Sequence, residues 1–452
     1  MINSEIFRQY DVRGIVGEQI DAETYFLIGK GFGSMLQKQG LNKIVIGGDA
    51  RHSSREFMDA FINGALETGC VVTDIGITAT PILYFAIWKL AQDGGAMVTA
   101  SHNPPQYNGC KLNLGMDSVF ADKLQDLLKL IQQEDFSFGS GKLIKNDTIM
   151  EQYCDYIAER IDIKRPVKVI VDAGNGMGGL YLPKILRRKG CEVIEMYCEP
   201  DGDFPNHHPD PTIEKNMSDL SRAVVDAEYE LGIGLDGDAD RIGVVDEKGK
   251  MLYGDQILNI LARDYLAINP GKPIIADVKC SKNLYDDIKA RGGKAIMYKT
   301  GHANIKKHMK EVGVEFAGEM SGHIFLADRY LGFDDAIYVS CRFIEIVAKT
   351  QQPVSQFLAD QPKMYNTPEL HIECEDSRKF EVVAKVCEEL KKEGYDVNDI
   401  DGARITFDDG WGLIRASNTT PVLVTRFEAT TEARMQEIRE LIESKINKYL
   451  KS

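Results

Sequence analysis

Three aspartates, Asp236, Asp238 and Asp240, stand at alternate positions in the run D-G-D-A-D-R, separated by the two smallest residues. In an extended loop alternate side chains share a face, so all three carboxylates can reach one hard cation. Three protein oxygens leave coordination positions open for water or a phosphate, which suits Mg2+. The same D-x-D-x-D also opens a calcium hand, and Glu247 falls at the last ligand position of such a loop. Arg241, however, stands where that loop needs a glycine for its sharp turn, and the IGVV that follows is a strand pattern. A solvated acidic turn would not explain why an apolar LGIGL run leads straight into the triad.

Three further loops carry groups able to do chemistry. Thr99-Ala-Ser101-His102-Asn103-Pro104-Pro105 follows the apolar run AMV. A serine hydroxyl is a weak nucleophile until a base or metal activates it, and His102 is adjacent. Taken alone this is equally a Ser/Asn-rich turn before prolines. The G-x-S-x-G elbow of many serine hydrolases is absent. Gly318-Glu319-Met320-Ser321-Gly322-His323 alternates Glu and Ser, a pattern that can grip two neighbouring sugar hydroxyls, with His323 available to a proton or a phosphate. Arg415-Ala-Ser417-Asn418-Thr419-Thr420-Pro421 offers a guanidinium, hydroxyls, an amide and loop N–H groups with no acidic residue among them. That is the composition of a phosphate pocket.

The elements that must position these loops recur three times. KIVIGGDAR around Asp49, VKVIVDAGNG around Asp172 and KPIIADVKC around Asp277 are short, apolar and rich in Val or Ile, as parallel strands covered on both faces are. A helical pattern follows each, with Phe57, Met58, Phe61, Ile62, Ala65 and Leu66 on one face of the first. Each helix stops at a glycine, Gly69, Gly190 or Gly292. A second strand follows (CVVTDIGI, CEVIEMYC, KAIMYK), and then a third (AMVTA, LGIGL, VEFAG) that runs into a polar loop at Ser101, Asp236 or Glu319. The spacing is irregular, so the pattern predicts three related α/β domains rather than a solenoid. Open α/β sheets bind ligands beyond the C-terminal ends of their strands, and three such loops are expected to converge on one cleft. The polar SFGSGKLIKN reads as the first linker, the turn at 247–250 as the close of the second domain and QPKMYNTPEL as the close of the third. The expected divisions are 1–146, 147–249, 250–363 and 364–452. The last piece reads strand, amphipathic helix, two or three strands and a final helix, a small α+β module.

Composition narrows the function classes. The chain has 452 residues, 43% of them hydrophobic and 27% charged, too long for a single core and ordinary for a soluble globular protein. A net charge of −15 argues against a nucleic-acid or anionic-membrane surface, so neither partner is expected. A phosphorylated substrate would need local cations and backbone N–H groups to overcome that field. Nine scattered cysteines without a C-x-x-C pair argue against a disulfide framework or a zinc ribbon. With no apolar leader in MINSEIFRQYDVRG, a cytoplasmic location is expected. His207 and His208 in DGDFPNHHPDPT read as loop structure rather than a metal pair. The glycines at 174, 176, 178 and 179 lack the G-x-G-x-x-G spacing of a dinucleotide site, and Cys110 reads as packing.

Taken together, FRQYDVRG, TASHNP, DGDADR, GEMSGH and RASNTTP occur in the order, and with the one-per-domain placement, of the α-D-phosphohexomutase superfamily. Over nearly its whole length the chain resembles the bacterial phosphomannomutase/phosphoglucomutase branch. The resemblance implies three α/β domains and a C-terminal α+β domain like the TATA-box-binding protein, arranged around a central cleft. It implies a phosphoserine at Ser101, with Asp236, Asp238 and Asp240 holding Mg2+ together with the Ser101 phosphate. Glu319 and Ser321 would bind sugar hydroxyls, and Arg415, Ser417, Asn418 and Thr419 the non-reacting phosphate. Tyr10, Arg13, His102, Lys111, Arg241, Lys279, His302 and His323 match further active-site positions.

The implied reaction passes a phosphoryl group from Ser101 to a hexose monophosphate. The resulting hexose 1,6-bisphosphate turns around and returns its other phosphate to Ser101. Neutralising charge on the transferring group is the main catalytic need, and both Lys111 and His323 are candidates for acid/base work. Small-molecule hexose phosphates are the expected partners, and the bisphosphate is both intermediate and activator. Phosphoglucosamine mutases share the layout, but their sugar loop typically carries Gln where this chain has Met320, which favours mannose and glucose phosphates. A metal-dependent phosphatase would instead carry phosphate on Asp236 and leave Ser101 dispensable. A sugar-phosphate-binding regulator would have lost part of the constellation that is intact here.

Overall fold

The computed structural model describes residues 2–417 and 420–450. The three apolar runs that open the repeated units form the strands Lys43–Gly48, Lys168–Asp172 and Pro273–Asp277. Each is the middle strand of a parallel triplet. Lys43–Gly48 lies between Val71–Ile77 and Gly94–Val98, Lys168–Asp172 between Glu192–Met196 and Leu231–Leu235, and Pro273–Asp277 between Lys294–Tyr298 and Phe316–Gly318. The first strand of each unit thus pairs with both of its successors, and a helix connects every step: Ser54–Glu67, Leu182–Arg188 and Lys282–Ala290 at the first crossover, Thr80–Lys89, Ser218–Asp226 and His302–Val312 at the second. Burial on both faces explains the near-continuous apolar character of the three middle strands. The glycines past the first-crossover helices have φ of +88°, +84° and +76° at Gly69, Gly190 and Gly292, the left-handed geometry that ends a helix at low cost.

The chain forms two compact units, residues 1–261 with 321–357 and residues 262–320 with 358–452. In the first unit each parallel triplet gains an antiparallel strand directly after its polar loop, Tyr107–Leu114 against Gly94–Val98 and Ile242–Asp246 against Leu231–Leu235. A tight return of this kind holds both ends of the serine loop and of the aspartate loop. The second unit carries the third triplet. It also carries an antiparallel sheet of Leu370–Glu373, Ala403–Phe407, Gly410–Ala416 and Val422–Ala429, with the helices Lys379–Lys392 and Glu432–Leu450. Val386, Leu390, Ile414, Phe427, Ile442 and Ile446 form its core.

The stretch read as the first linker contains the strand Lys142–Lys145, paired in parallel with Val71–Ile77 at the edge of the first sheet. All four of its residues are exposed, so it lacks the alternation by which strands are recognised. The second sheet continues past the turn at 247–250 into Met251–Leu252, which pairs with Val244 and Val245. No helix among the described residues is long and apolar enough to cross a membrane.

Candidate active site

Ser101 stands three residues past the end of the strand Gly94–Val98, and Asp236 directly follows Leu231–Leu235. Both loops are wound tightly enough to put a residue other than glycine in the left-handed region, φ +51° at Ser101 and +62° at Ala239. Such backbone persists only where surrounding bonds over-determine it. In the aspartate loop they are the Asp236 Oδ1 atom, which accepts from the N–H groups of Asp240 and Arg241 at 2.9 and 3.0 Å, and three backbone bonds: Thr80 N–H to Asp238, Met177 N–H to Gly237 and Ala336 N–H to Ala239.

The two loops meet. Ser101 donates its hydroxyl to Asp236, with Oγ 2.8 Å from Oδ2, and His102 Nδ1 lies 3.1 Å from the same Oγ. With the hydroxyl proton given to the carboxylate, His102 donates to Oγ from Nδ1. Burial, reinforced by Arg241 and Arg13, pulls His102 well below the usual histidine range, so the ring is neutral at physiological pH. Lys111, from the strand Tyr107–Leu114, bridges Asp238 Oδ2 at 2.6 Å and Asp240 Oδ2 at 2.5 Å. Burial opposes its charge, but the two carboxylates push the ammonium well above its ordinary value. Lys111 is therefore a charged donor in this state and has no lone pair to act as a base. Thr80 donates to Asp238 Oδ2 at 2.5 Å.

Asp236, Asp238 and Asp240 present ligand atoms within 4.8 Å of one another, all fully buried. The Oδ1 atoms of Asp238 and Asp240 have no hydrogen-bond partner among the described residues. Buried carboxylate oxygens are costly in that condition, and burial together with Asp240 and Asp238 pushes Asp236 well above the usual carboxylate range. Three hard oxygens with a surplus of negative charge fit a divalent cation such as Mg2+. The His323 ring sits beside them. Its Nε2 accepts from Arg241 Nε at 3.0 Å, and its Nδ1 is 3.2 Å from Asp334 and 3.5 Å from Asp240. Arg13 donates to Asn103 in the serine loop at 2.6 Å and also to Asp11, while Tyr10 packs near Phe120. Ser101, His102, Lys111, Arg241, His323 and the triad thus fall in one unit and are linked by direct contacts, with Arg13 joined to them through Asn103.

The remaining candidates are built in the second unit, except Ser321, which lies on the first unit's side of the division. Glu319 accepts from the Gly301 N–H at 2.6 Å, just before the helix that begins at His302, and so adds negative charge where the helix dipole is positive. Lys279 forms a 2.7 Å ion pair with Glu369. Arg415 pairs with Asp401 at 3.1 Å, a carboxylate from outside the phosphate loop, whose own composition contains none. Ser417 Oγ is 2.8 Å from Thr420 Oγ1. Asn418 and Thr419 lie outside the described residues. Sequence reasoning passed over Thr80, Arg51 and Glu369, which reach their partners from distant parts of the chain, and Asp334 and Asp401, which reach theirs from a neighbouring loop. His207, read as loop structure, holds Asp172 at 2.9 Å.

Phosphoryl transfer demands neutralised charge around the moving group more than it demands a strong base, and a hydroxyl seated on buried carboxylates among Lys111, Arg13 and Arg241 meets that demand. The class this defines is a phosphoryl-transferring enzyme. Comparison with known proteins is specific: the chain belongs to the phosphoglucomutase/phosphomannomutase family of the α-D-phosphohexomutase superfamily and is a hexose-phosphate mutase, an isomerase of carbohydrate metabolism. Its α/β/α domains I, II and III match at 4–137, 151–249 and 253–365, and the family's C-terminal domain at 369–445. A phosphomannomutase/phosphoglucomutase of Pseudomonas putida is 42% identical over 441 residues, 98% of this chain and 95% of the relative. A phosphoglucomutase of Neisseria meningitidis is 42% identical over 97% and 96% of the two chains. A family protein from Burkholderia thailandensis superposes with a TM-score of 0.94 at 38% identity, covering 99% of this chain and 98% of that one.

Proposed function

We propose that this mutase interconverts the 1- and 6-phosphates of mannose and glucose through a phosphoserine at Ser101 and a hexose 1,6-bisphosphate. The observation that carries the reading is the Ser101 Oγ–Asp236 bond, which places the only hydroxyl of the serine loop's S-H-N core against the carboxylate triad. Phospho-Ser101 gives its phosphoryl group to a free hydroxyl of the sugar monophosphate. The P–Oγ bond breaks, a P–O bond to the sugar forms, the sugar hydroxyl proton passes to a base, and the departing Ser101 Oγ takes up a proton to become the hydroxyl. After the bisphosphate turns, its other phosphate returns to Ser101 and the second monophosphate leaves.

Asp236, Asp238 and Asp240 would hold Mg2+, which neutralises charge on the transferring group. Lys111, Arg13 and Arg241 add fixed positive charge around it. Because Lys111 is protonated and donates to two carboxylates, His323, held by Arg241 at Nε2 and beside Asp334 at Nδ1, is the better candidate for the base, its Nε2 lone pair becoming available when Arg241 turns to the phosphate. Lys279, His302, Glu319, Ser321, Arg415, Ser417, Asn418 and Thr419 bind the sugar and its non-reacting phosphate. Relatives named for both sugars support dual use, and Met320 in the sugar loop favours mannose and glucose phosphates over glucosamine phosphate. Cysteines that are all free thiols accord with a reducing, cytoplasmic setting.

Peptide mass spectrometry of the purified enzyme, paired with assays of Ser101→Ala, tests this reading. Phosphate on Ser101 and loss of turnover in the variant are expected. Phosphate on Asp236, or an S101A enzyme as active as wild type, would replace it with the phosphatase-type alternative. A coupled assay of mannose 1-phosphate, glucose 1-phosphate and glucosamine 1-phosphate ranks the substrates, and the first two are expected to lead.

A further inference from the structure

Arg51 lies at the end of the run GGDAR, and its side chain is turned inward, with the residue only 3% exposed. A guanidinium has five N–H donors in a rigid fork, and here all five are matched. Nη2 donates to the carbonyls of Ser101 at 2.9 Å and Asn103 at 2.6 Å. Nη1 donates to those of Pro104 at 2.7 Å and Tyr107 at 2.9 Å, and Nε donates to Asp49 Oδ2 at 3.1 Å. Three carbonyls of the serine loop and one at the start of the strand that follows therefore converge on one side chain. None of these atoms is a group expected to touch substrate.

Asp49 holds the other side of the same residue, Ser101. Its Oδ2 also accepts from Thr99 Oγ1 at 2.7 Å, and that hydroxyl accepts from the Ser101 N–H at 2.9 Å. Its Oδ1 is fixed in turn by Ser54 Oγ at 2.7 Å and the Arg51 N–H at 3.1 Å. The N–H and the C=O of Ser101 thus trace back to a single buried ion pair. Between them sits a residue in the left-handed region, φ +51°, which a side chain with a Cβ adopts only under constraint. Phe204 covers the guanidinium, its ring centroid 5.1 Å from Cζ.

We propose that the Asp49–Arg51 pair is the positioning device of the nucleophile, holding Ser101 in the strained conformation that aims Oγ at the aspartate triad. The inference rests on the phosphoserine reading above. Neither residue acts on the substrate; they fix where the reacting oxygen stands.

Arg51→Lys keeps the charge, but a point ammonium with three donors cannot span four carbonyls. Misplacing a reacting atom by about 1 Å costs on the order of 100-fold in rate. The expected result is a kcat for R51K lower by about that factor, with KM for glucose 1-phosphate within about twofold and transfer from glucose 1,6-bisphosphate onto Ser101 slowed equally. Thr99→Val removes only the link from Asp49 to the Ser101 N–H and is expected to lower kcat about 10-fold, again at constant KM. It supplies the answer if R51K does not fold. A folded R51K or T99V with wild-type kcat, or one changed in KM alone, overturns the proposal. S101A measured alongside separates the two levels. If S101A is inactive and R51K is not, the positioning role alone falls; if S101A turns over normally, the phosphoserine reading falls and takes this one with it.

Discussion

Lys111 donates to Asp238 across a fully buried contact, Nζ to Oδ2 2.6 Å, and to Asp240 from the same ammonium. One cation thus neutralises part of a pocket that holds three carboxylates, and it does so from the oxygens opposite the two left without a partner. Removing one member of a buried charge cluster costs roughly 3–5 kcal/mol, because the remaining charges stay desolvated. Lys111→Met, close in volume, is expected to lose about that much in urea unfolding without added metal, and to recover a larger share than wild type does when Mg2+ is added. Equal Mg2+ responses in the two proteins would show that the ammonium and the cation do not share this pocket.

Metal removal gives a second test of the same pocket. A ligand that binds only the folded state stabilises it by about 2.7 kcal/mol at 100 times its dissociation constant. Mg2+ titrated into chelator-treated enzyme is expected to raise the melting temperature and restore turnover together. In Asp238→Asn both responses weaken, since one ligand charge is gone. A melting temperature indifferent to Mg2+ would place the metal elsewhere.

The Lys279–Glu369 pair predicts an acid dependence. The ammonium holds the Glu369 carboxyl down to about 2 from its ordinary 4.5, against the opposing effect of burial. A depressed carboxyl contributes stability that is fully present above 4.5 and is lost as pH falls toward 2. With 32% of the Glu369 side chain exposed, solvent screening limits the contribution to on the order of 1–2 kcal/mol. The stability gap between wild type and Glu369→Gln is therefore expected to be largest above pH 5 and to close toward pH 2 in denaturant titrations. A gap independent of pH would mean that Glu369 does not titrate through this ion pair.

What was legible in the sequence is what is written locally. The three strand–helix–strand units could be read because the doubly covered strand that opens each is a nearly continuous apolar run, and the Asp236 loop because its three ligands are two residues apart. The edge strand Lys142–Lys145 was not legible, since exposure of every side chain removes the pattern that marks a strand. The second set of residues around the site was not legible either, for a different reason. Arg51, Thr80 and Asp334 have no motif of their own; each is defined by what it reaches across the fold. Asp401 is the clearest case. The phosphate loop contains no acid, yet its arginine has a carboxylate partner from an earlier turn, which composition within the loop could not reveal.

Gly237, between the first two metal-site aspartates, shows how closely the two chemical loops are packed. A Cβ there would stand 2.5 Å from the backbone oxygen of Ser101, the same oxygen that Arg51 grips. The obstacle is backbone, so no side-chain rotation relieves it, and either the serine loop or the aspartate loop must move. Overpacking of this kind costs about 1–3 kcal/mol. A displacement of the order of an ångström between nucleophile and metal site is expected to lower kcat roughly 100-fold. Gly237→Ala should therefore lose far more turnover than stability, with KM for glucose 1-phosphate little changed because the substrate-binding candidates of the second unit are untouched. The serine phosphorylated on incubation with glucose 1,6-bisphosphate is expected to form correspondingly slowly. A G237A enzyme with wild-type kcat would mean that Ser101 and the triad need not be held this close for transfer to occur.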